Sequence, residues 1–161
     1  LAKFIKNPYR RIFFTGIILS IVFLLLWKGR YCGLGTNLIS ASFAGEKVYV
    51  FDFLLKAVLT IVTLAAGFQG GEVTPLFSIG ATLGVILGLP VLLVAGLGYA
   101  AVFGSATNTL IAPILIGVEV FGPEHVVWFA IICMIAFACN GNKTIYGKQR
   151  LSKMSDFNRI K

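Results

Sequence analysis

Glu72 is the one acidic residue between Asp52 and Glu119, and it lies in a Gly-rich, Pro-containing break, Gly70-Gly71-Glu72-Val73-Thr74-Pro75, between two apolar runs. Gly70 and Gly71 permit close backbone approach, and Pro75 suits the first turn of a helix. A helix beginning here points the free N–H groups around Glu72, Val73 and Thr74 out of its end. Unpaired donors and the positive end of the helix dipole there replace the water that an anion must shed. A plain kink is the alternative meaning of the same Gly/Pro pattern. Glu72 tips the balance toward function, because a carboxylate in hydrocarbon costs roughly 2.5–3.5 kcal/mol on insertion scales and calls for a role. The expected chemistry is anion binding at the helix end, with Glu72 exchanging a proton beside it. A structural Glu bonded to backbone or to a Ser or Thr hydroxyl is the competing reading.

Other candidate residues carry less. Glu119 lies a few residues before Gly122-Pro123 and reads as structural, and His125 in the same turn reads as interfacial. Tyr146, in Thr144-Ile145-Tyr146-Gly147 beside a basic tail, reads as an interfacial belt residue. Cys32, Cys133 and Cys139 form an odd set with no CxxC pair and no His cluster, which argues against a disulfide framework and a zinc site. They read as small packing residues. With a single His and no Ser/His/Asp or Cys/His set, neither an enzyme nor a metal or other cofactor is expected.

The elements that must position the break are those of a membrane protein. The sequence is 58% hydrophobic and 12% charged, and its fourteen Phe outnumber its six acids, which is too little polarity to cover a soluble surface. The net charge of +8 does not point to nucleic acid, because the basic residues gather at the ends: Lys3, Lys6, Arg10 and Arg11 before the first apolar run, Lys143 to Lys161 after the last. Lys and Arg flank membrane segments in this way. No small-residue cleavage site follows Trp27, and Leu1 in place of an initiating Met suggests a fragment.

The apolar runs expected as helices are Ile12 to Trp27, then Phe51 to Phe68 with Lys56 snorkelling near its start. Leu76 to Leu89 follows, with Gly80, Ala81, Gly84 and Gly88 giving one face that lets a neighbouring backbone approach. Pro90 opens Val91 to Phe103, which Gly104 to Thr109 interrupts with polar backbone. Leu110 to Phe121 and Val126 to Ala138 complete the series, with Gly122 to His125 as a turn. Several runs are too short or too broken for simple spans. Discontinuous helices meeting near the midplane are how secondary transporters build ion sites.

The stretch Gly67 to Gly88, GFQGGEVTPLFSIGATLGVILG, resembles the Gly-x-Phe-x-Pro signature of CLC-type anion transporters and the small-residue helix after it. Tyr31 to Asn37 resembles the Gly-rich turn that follows the first long helix of that family's second repeat. Gly104 to Thr109 with Glu119, and then Ile145-Tyr146-Gly147, resemble its interface helices and the start of its final helix. The resemblance implies an all-α membrane fold, a CLC-type bundle of tilted and broken helices, of which residues 1–142 form the second repeat and 143–161 the start of the last helix with a basic cytoplasmic tail. It implies a central anion held by Gly71, Glu72, Val73, Thr74 and the Tyr146 hydroxyl. It also implies homodimers joined through helices near 108–139, in a bacterial plasma membrane with the C-terminus cytoplasmic.

Val73 stands where the motif has Phe, and Glu72 and Thr74 flank it; a Glu and a Thr here are similar to the fluoride-exporting branch rather than the chloride branch. Fluoride, small and strongly hydrated, needs close donors such as the Thr74 and Tyr146 hydroxyls and a protonated Glu72. Proton coupling would follow from Glu72. A chloride channel or chloride/proton exchanger of the same family, and a non-transporting membrane relic, are the alternatives. The family's Gly-x-Glu-x-Pro gate belongs to its first half and does not occur in these residues. The 161 residues alone are therefore expected not to transport, and proton-coupled fluoride flux from liposomes holding only this polypeptide would refute that expectation.

Overall fold

A computed structural model describes residues 7–26, 29–88 and 90–146 of the chain. Among them every regular element is a helix: α1 Pro8–Leu25, α2 Thr36–Ala44, α3 Asp52–Ala66, α4 Val73–Leu87, α5 Val91–Thr107, α6 Ile111–Phe121 and α7 Val126–Cys139, with a 3-10 turn, Pro123–His125, before α7. The Asn7 side chain accepts from the N–H groups of Tyr9 and Arg10, and Pro8 opens the first turn, which fixes the start of α1. Of the described helices, α1 alone is long and apolar enough to cross a membrane, and it buries little more than Thr15 and Leu19. Large apolar side chains on the outside, including Phe13, Leu24, Leu25 and Leu92, are exposed as a lipid-facing surface requires.

The centre is the antiparallel pair α4–α5. Gly80 lies against the Gly98 carbonyl and Gly84 against the Val94 carbonyl, so the two backbones touch with no side chain between them. Phe77 of α4 stacks on Tyr99 of α5 at 3.9 Å, and Phe121 of α6 meets Phe43 of α2 edge-on at 5.0 Å. On one side of this pair, Leu19, Tyr31, Leu38 and Leu59 form a core linking α1, α2 and α3. On the other, Ala100, Phe129 and Cys133 form a second core shared by α5 and α7.

The helix limits depart from the expected ones in one informative place. The polar stretch at Gly104 to Thr109 does not interrupt α5, which continues to Thr107. The Thr107 hydroxyl donates to the Phe103 carbonyl at 2.8 Å, so its polarity is satisfied within the helix. The turn comes at Asn108, whose left-handed φ of 53° ends the helix. Cys133 is buried as a packing residue, whereas Cys32 and Cys139 are exposed. Glu119 is exposed and His125 half-buried. Residues 143–146 are not helical, and the expected continuation over 147–161 lies outside the described residues.

The close contact of α4 with α5 predicts that Gly80→Ala destabilises the protein by about 1–3 kcal/mol through overpacking. Gly70→Ala, where an added methyl meets nothing within 4 Å, stays within about 0.5 kcal/mol of wild type. Thermal unfolding in detergent compares the two, and equal effects would discount the contact.

Candidate functional site

The break is made by two helix ends that are treated differently. α3 stops at Gly67, whose φ of 96° closes the helix, with its N–H bonded to Leu64 O and the Phe68 N–H to Thr63 O. Arg11 Nε donates to the last carbonyl, Ala66 O, at 2.8 Å, placing a cation at the negative end of the α3 dipole. Arg11 is thus more than a membrane flank. α4 starts after Glu72 with no side chain capping it, so the donors at its positive end keep their capacity for a ligand.

Beside this start lies a cavity of about 240 Å³ whose wall includes Gly70, Gly71 and Pro75 from the break, and Lys56, Thr60 and Thr63 from α3. Gly71 and Val73 are exposed, and Glu72 and Thr74 are half-buried. Tyr146 is also exposed, 41% of its surface being accessible. Its segment is bound to the end of α5: Ile145 N donates to Ala106 O at 2.9 Å, and Tyr146 N to Thr144 Oγ1 at 3.1 Å. Asn108, Asn140 and Asn142 fasten the preceding loop, with Asn108 Nδ2 to Asn142 Oδ1 at 2.8 Å and Asn140 Nδ2 to Asn108 Oδ1 at 3.0 Å. Because α5 runs antiparallel to α4, this anchor puts Tyr146 at the end of the pair where α4 begins. The cavity at the break is not lined by Tyr146; its neighbours Thr144 and Ile145 line a separate hollow with Ser105 and Asn140.

Sequence reasoning missed the polar face of α3. Lys56 does not snorkel: it is 2% exposed, and its Nζ donates to Tyr31 O at 3.0 Å and Gly33 O at 2.7 Å. One turn earlier, Asp52 is fully buried, its carboxylate accepting from Tyr31 Oη at 2.5 Å, Arg30 Nη2 at 2.7 Å and Tyr49 N at 2.9 Å. Two charges spaced i, i+4 on α3 thereby clamp the Gly-rich turn between α1 and α2. Gly35, with φ of 84°, is the point where that turn meets α4: a Cβ there would lie 2.6 Å from Ser78 Oγ. The spacing of Asp52 and Lys56 was the available signal.

Broken helices, an uncapped helix start beside a cavity and a lipid-suited exterior are the features of an integral membrane domain. The family model for the voltage gated chloride channel matches residues 1–141, and the chain belongs to that family. It is 45% identical over 126 residues to the "Chloride/fluoride channel protein" of Pseudomonas syringae pv. tomato (strain ATCC BAA-871 / DC3000), a match covering 76% of this chain and 28% of the relative. Its fold is similar to the crystal structure of a CLC-type fluoride/proton antiporter, with a TM-score of 0.91 and 53% identity, covering 94% of this chain and 39% of that one. The chain therefore spans well under half the length of either.

The clamp predicts that Asp52→Asn, which leaves the half-buried Arg30 without its counter-charge, destabilises the protein by about 1–3 kcal/mol. Tyr31→Phe, which removes one donor from the carboxylate, costs about 1–3 kcal/mol. Wild-type thermal stability in both variants would show that the network is not structural.

Proposed function

We propose that this chain is the second-repeat half of a proton-coupled fluoride transporter. The anion is held at the start of α4 by the backbone donors of Gly71, Glu72 and Val73 and by the Thr74 hydroxyl, with the Tyr146 hydroxyl as partner. Glu72 exchanges the coupled proton. The observation that carries this reading is the uncapped start of α4 beside the cavity, with a half-buried carboxylate at its cap position. Thr74 and Glu72 supply hydroxyl and carboxyl donors that suit a small, strongly hydrated anion better than the aromatic side chain the family motif carries at position 73. The solved relative, a CLC-type fluoride/proton antiporter, supports the same branch. Transport rather than catalysis is the activity we assign.

Chloride transport is the second reading, favoured by the family's name and by the Pseudomonas relative, named for both anions. The exposed apolar side chains Ile111, Leu115, Trp128 and Ile131 on α6 and α7 support homodimer contact through the region near 108–139. A bacterial plasma membrane, with the basic C-terminal residues on the cytoplasmic side, fits the source of that relative and the positive-inside rule.

Fluoride and chloride efflux with a simultaneous pH readout, in liposomes holding a longer protein that carries this segment, tests the proposal. Glu72→Gln is expected to lower proton movement by about a hundredfold. Tyr146→Phe, losing one bond to a charged ligand, weakens fluoride binding by about tenfold. Unchanged coupling in Glu72→Gln removes the proton role, and faster chloride than fluoride efflux in wild type decides for the second reading.

A further inference from the structure

Lys56 is a charge that neither the helix-end site nor the proton step uses. It is buried in an apolar helix, and the two acceptors of its ammonium, Tyr31 O and Gly33 O, are both neutral and engage two of its three donors. Asp52, one turn away on the same helix, is taken by Arg30, and theirs is the only ion pair among the described residues. A buried ammonium without a counter-charge is costly in any low-dielectric medium. The space next to it is the cavity that also reaches Gly71 and Pro75.

A second observation falls at the same place. Ser78 Oγ is fully buried and has no hydrogen-bond partner. It lies 2.6 Å, and Lys56 Cε 2.8 Å, from the one point where a Cβ on Gly35 would sit. An unsatisfied hydroxyl and an uncompensated cation are therefore neighbours. Thr60, one turn beyond Lys56 on α3, continues the polar stripe along the cavity toward the break.

We infer that Lys56 is an anion-holding residue of the pathway, its ammonium binding a halide in the cavity between α3 and the start of α4. The bound anion supplies the counter-charge that the protein omits. Fixed to the Gly-rich turn, the cation attracts an anion to the helix end without a carboxylate to compete for it. Gly35 lets the turn pack directly on Lys56 and Ser78, since a Cβ there would lie within 2.9 Å of both side chains.

This inference rests on the anion-transport reading, and the test separates the two. Fluoride and chloride binding by titration calorimetry, and proton-coupled efflux from liposomes, are compared for wild type, Lys56→Arg and Lys56→Met in the longer protein carrying this segment. Lys56→Met with wild-type helical content is expected to weaken anion binding by about tenfold or more, while Lys56→Arg stays within about threefold. Wild-type affinity in folded Lys56→Met overturns the inference. Where Lys56→Met does not fold, wild-type crystals soaked in bromide decide: an anomalous peak within about 4 Å of Nζ supports it, and its absence there overturns it. Anion binding without proton-coupled efflux in wild type refutes the transport reading but leaves Lys56 to be judged by the affinities, whereas no anion binding at all overturns both.

Discussion

The backbone contact between α4 and α5 is the constraint on which the other features depend. In lipid, helices gain little from burying apolar surface against one another, because the surrounding chains are as apolar as the side chains. Association has to come from close packing. Gly80 and Gly84 supply it by letting α4 lie directly on the Gly98 and Val94 carbonyls. The stacked Phe77–Tyr99 pair extends the contact along the same face. A helix held along its length in this way can leave its first turn without a cap, since its position does not rely on that turn.

The same economy explains the polar groups around the break. Each irregular segment at membrane depth must satisfy its backbone internally. The end of α3 does so through Gly67 and Arg11, and the Gly-rich turn does so through Lys56 and the Asp52 network. The start of α4 carries no side-chain cap, as at α2, α3, α5, α6 and α7, and what sets it apart is the cavity beside the break that Gly71 and Pro75 border.

Much of this was legible in the sequence where local chemistry decides the outcome. The apolar run from Ile12 marks the body of α1, the glycine spacing marks the face of α4 that meets α5, and Gly70 to Pro75 marks the break. What was not legible depends on residues far apart in the chain. Lys56 was expected to reach for the interface because a lone lysine in an apolar run usually does; its acceptors at Tyr31 and Gly33 come from another element, and the i, i+4 spacing from Asp52 is the one local sign of them. Gly104 to Thr109 was expected to interrupt a helix because the residues are small and polar. Back-bonding by Thr107 satisfies them inside α5 instead, moving the turn to Asn108.

That shift at the end of α5 matters for the site. Had the helix stopped at Phe103, the carbonyls of Ala106 and Thr107 would belong to a loop, and the segment carrying Tyr146 would have no fixed anchor. With α5 intact to Thr107, Ile145 and Thr144 bond to a rigid helix end, the Thr144 hydroxyl reaching Thr107 O at 3.4 Å. This helix end is locked against α4 by the glycine contact. The start of α4 and the Tyr146 segment are therefore referenced to the same rigid pair rather than to each other. A loop-borne partner would have to be ordered each time an anion bound, at an entropic cost charged against affinity. Anchoring both segments to one helix pair places that cost in folding, so in the proposed site donor chemistry, more than loop ordering, would set selectivity.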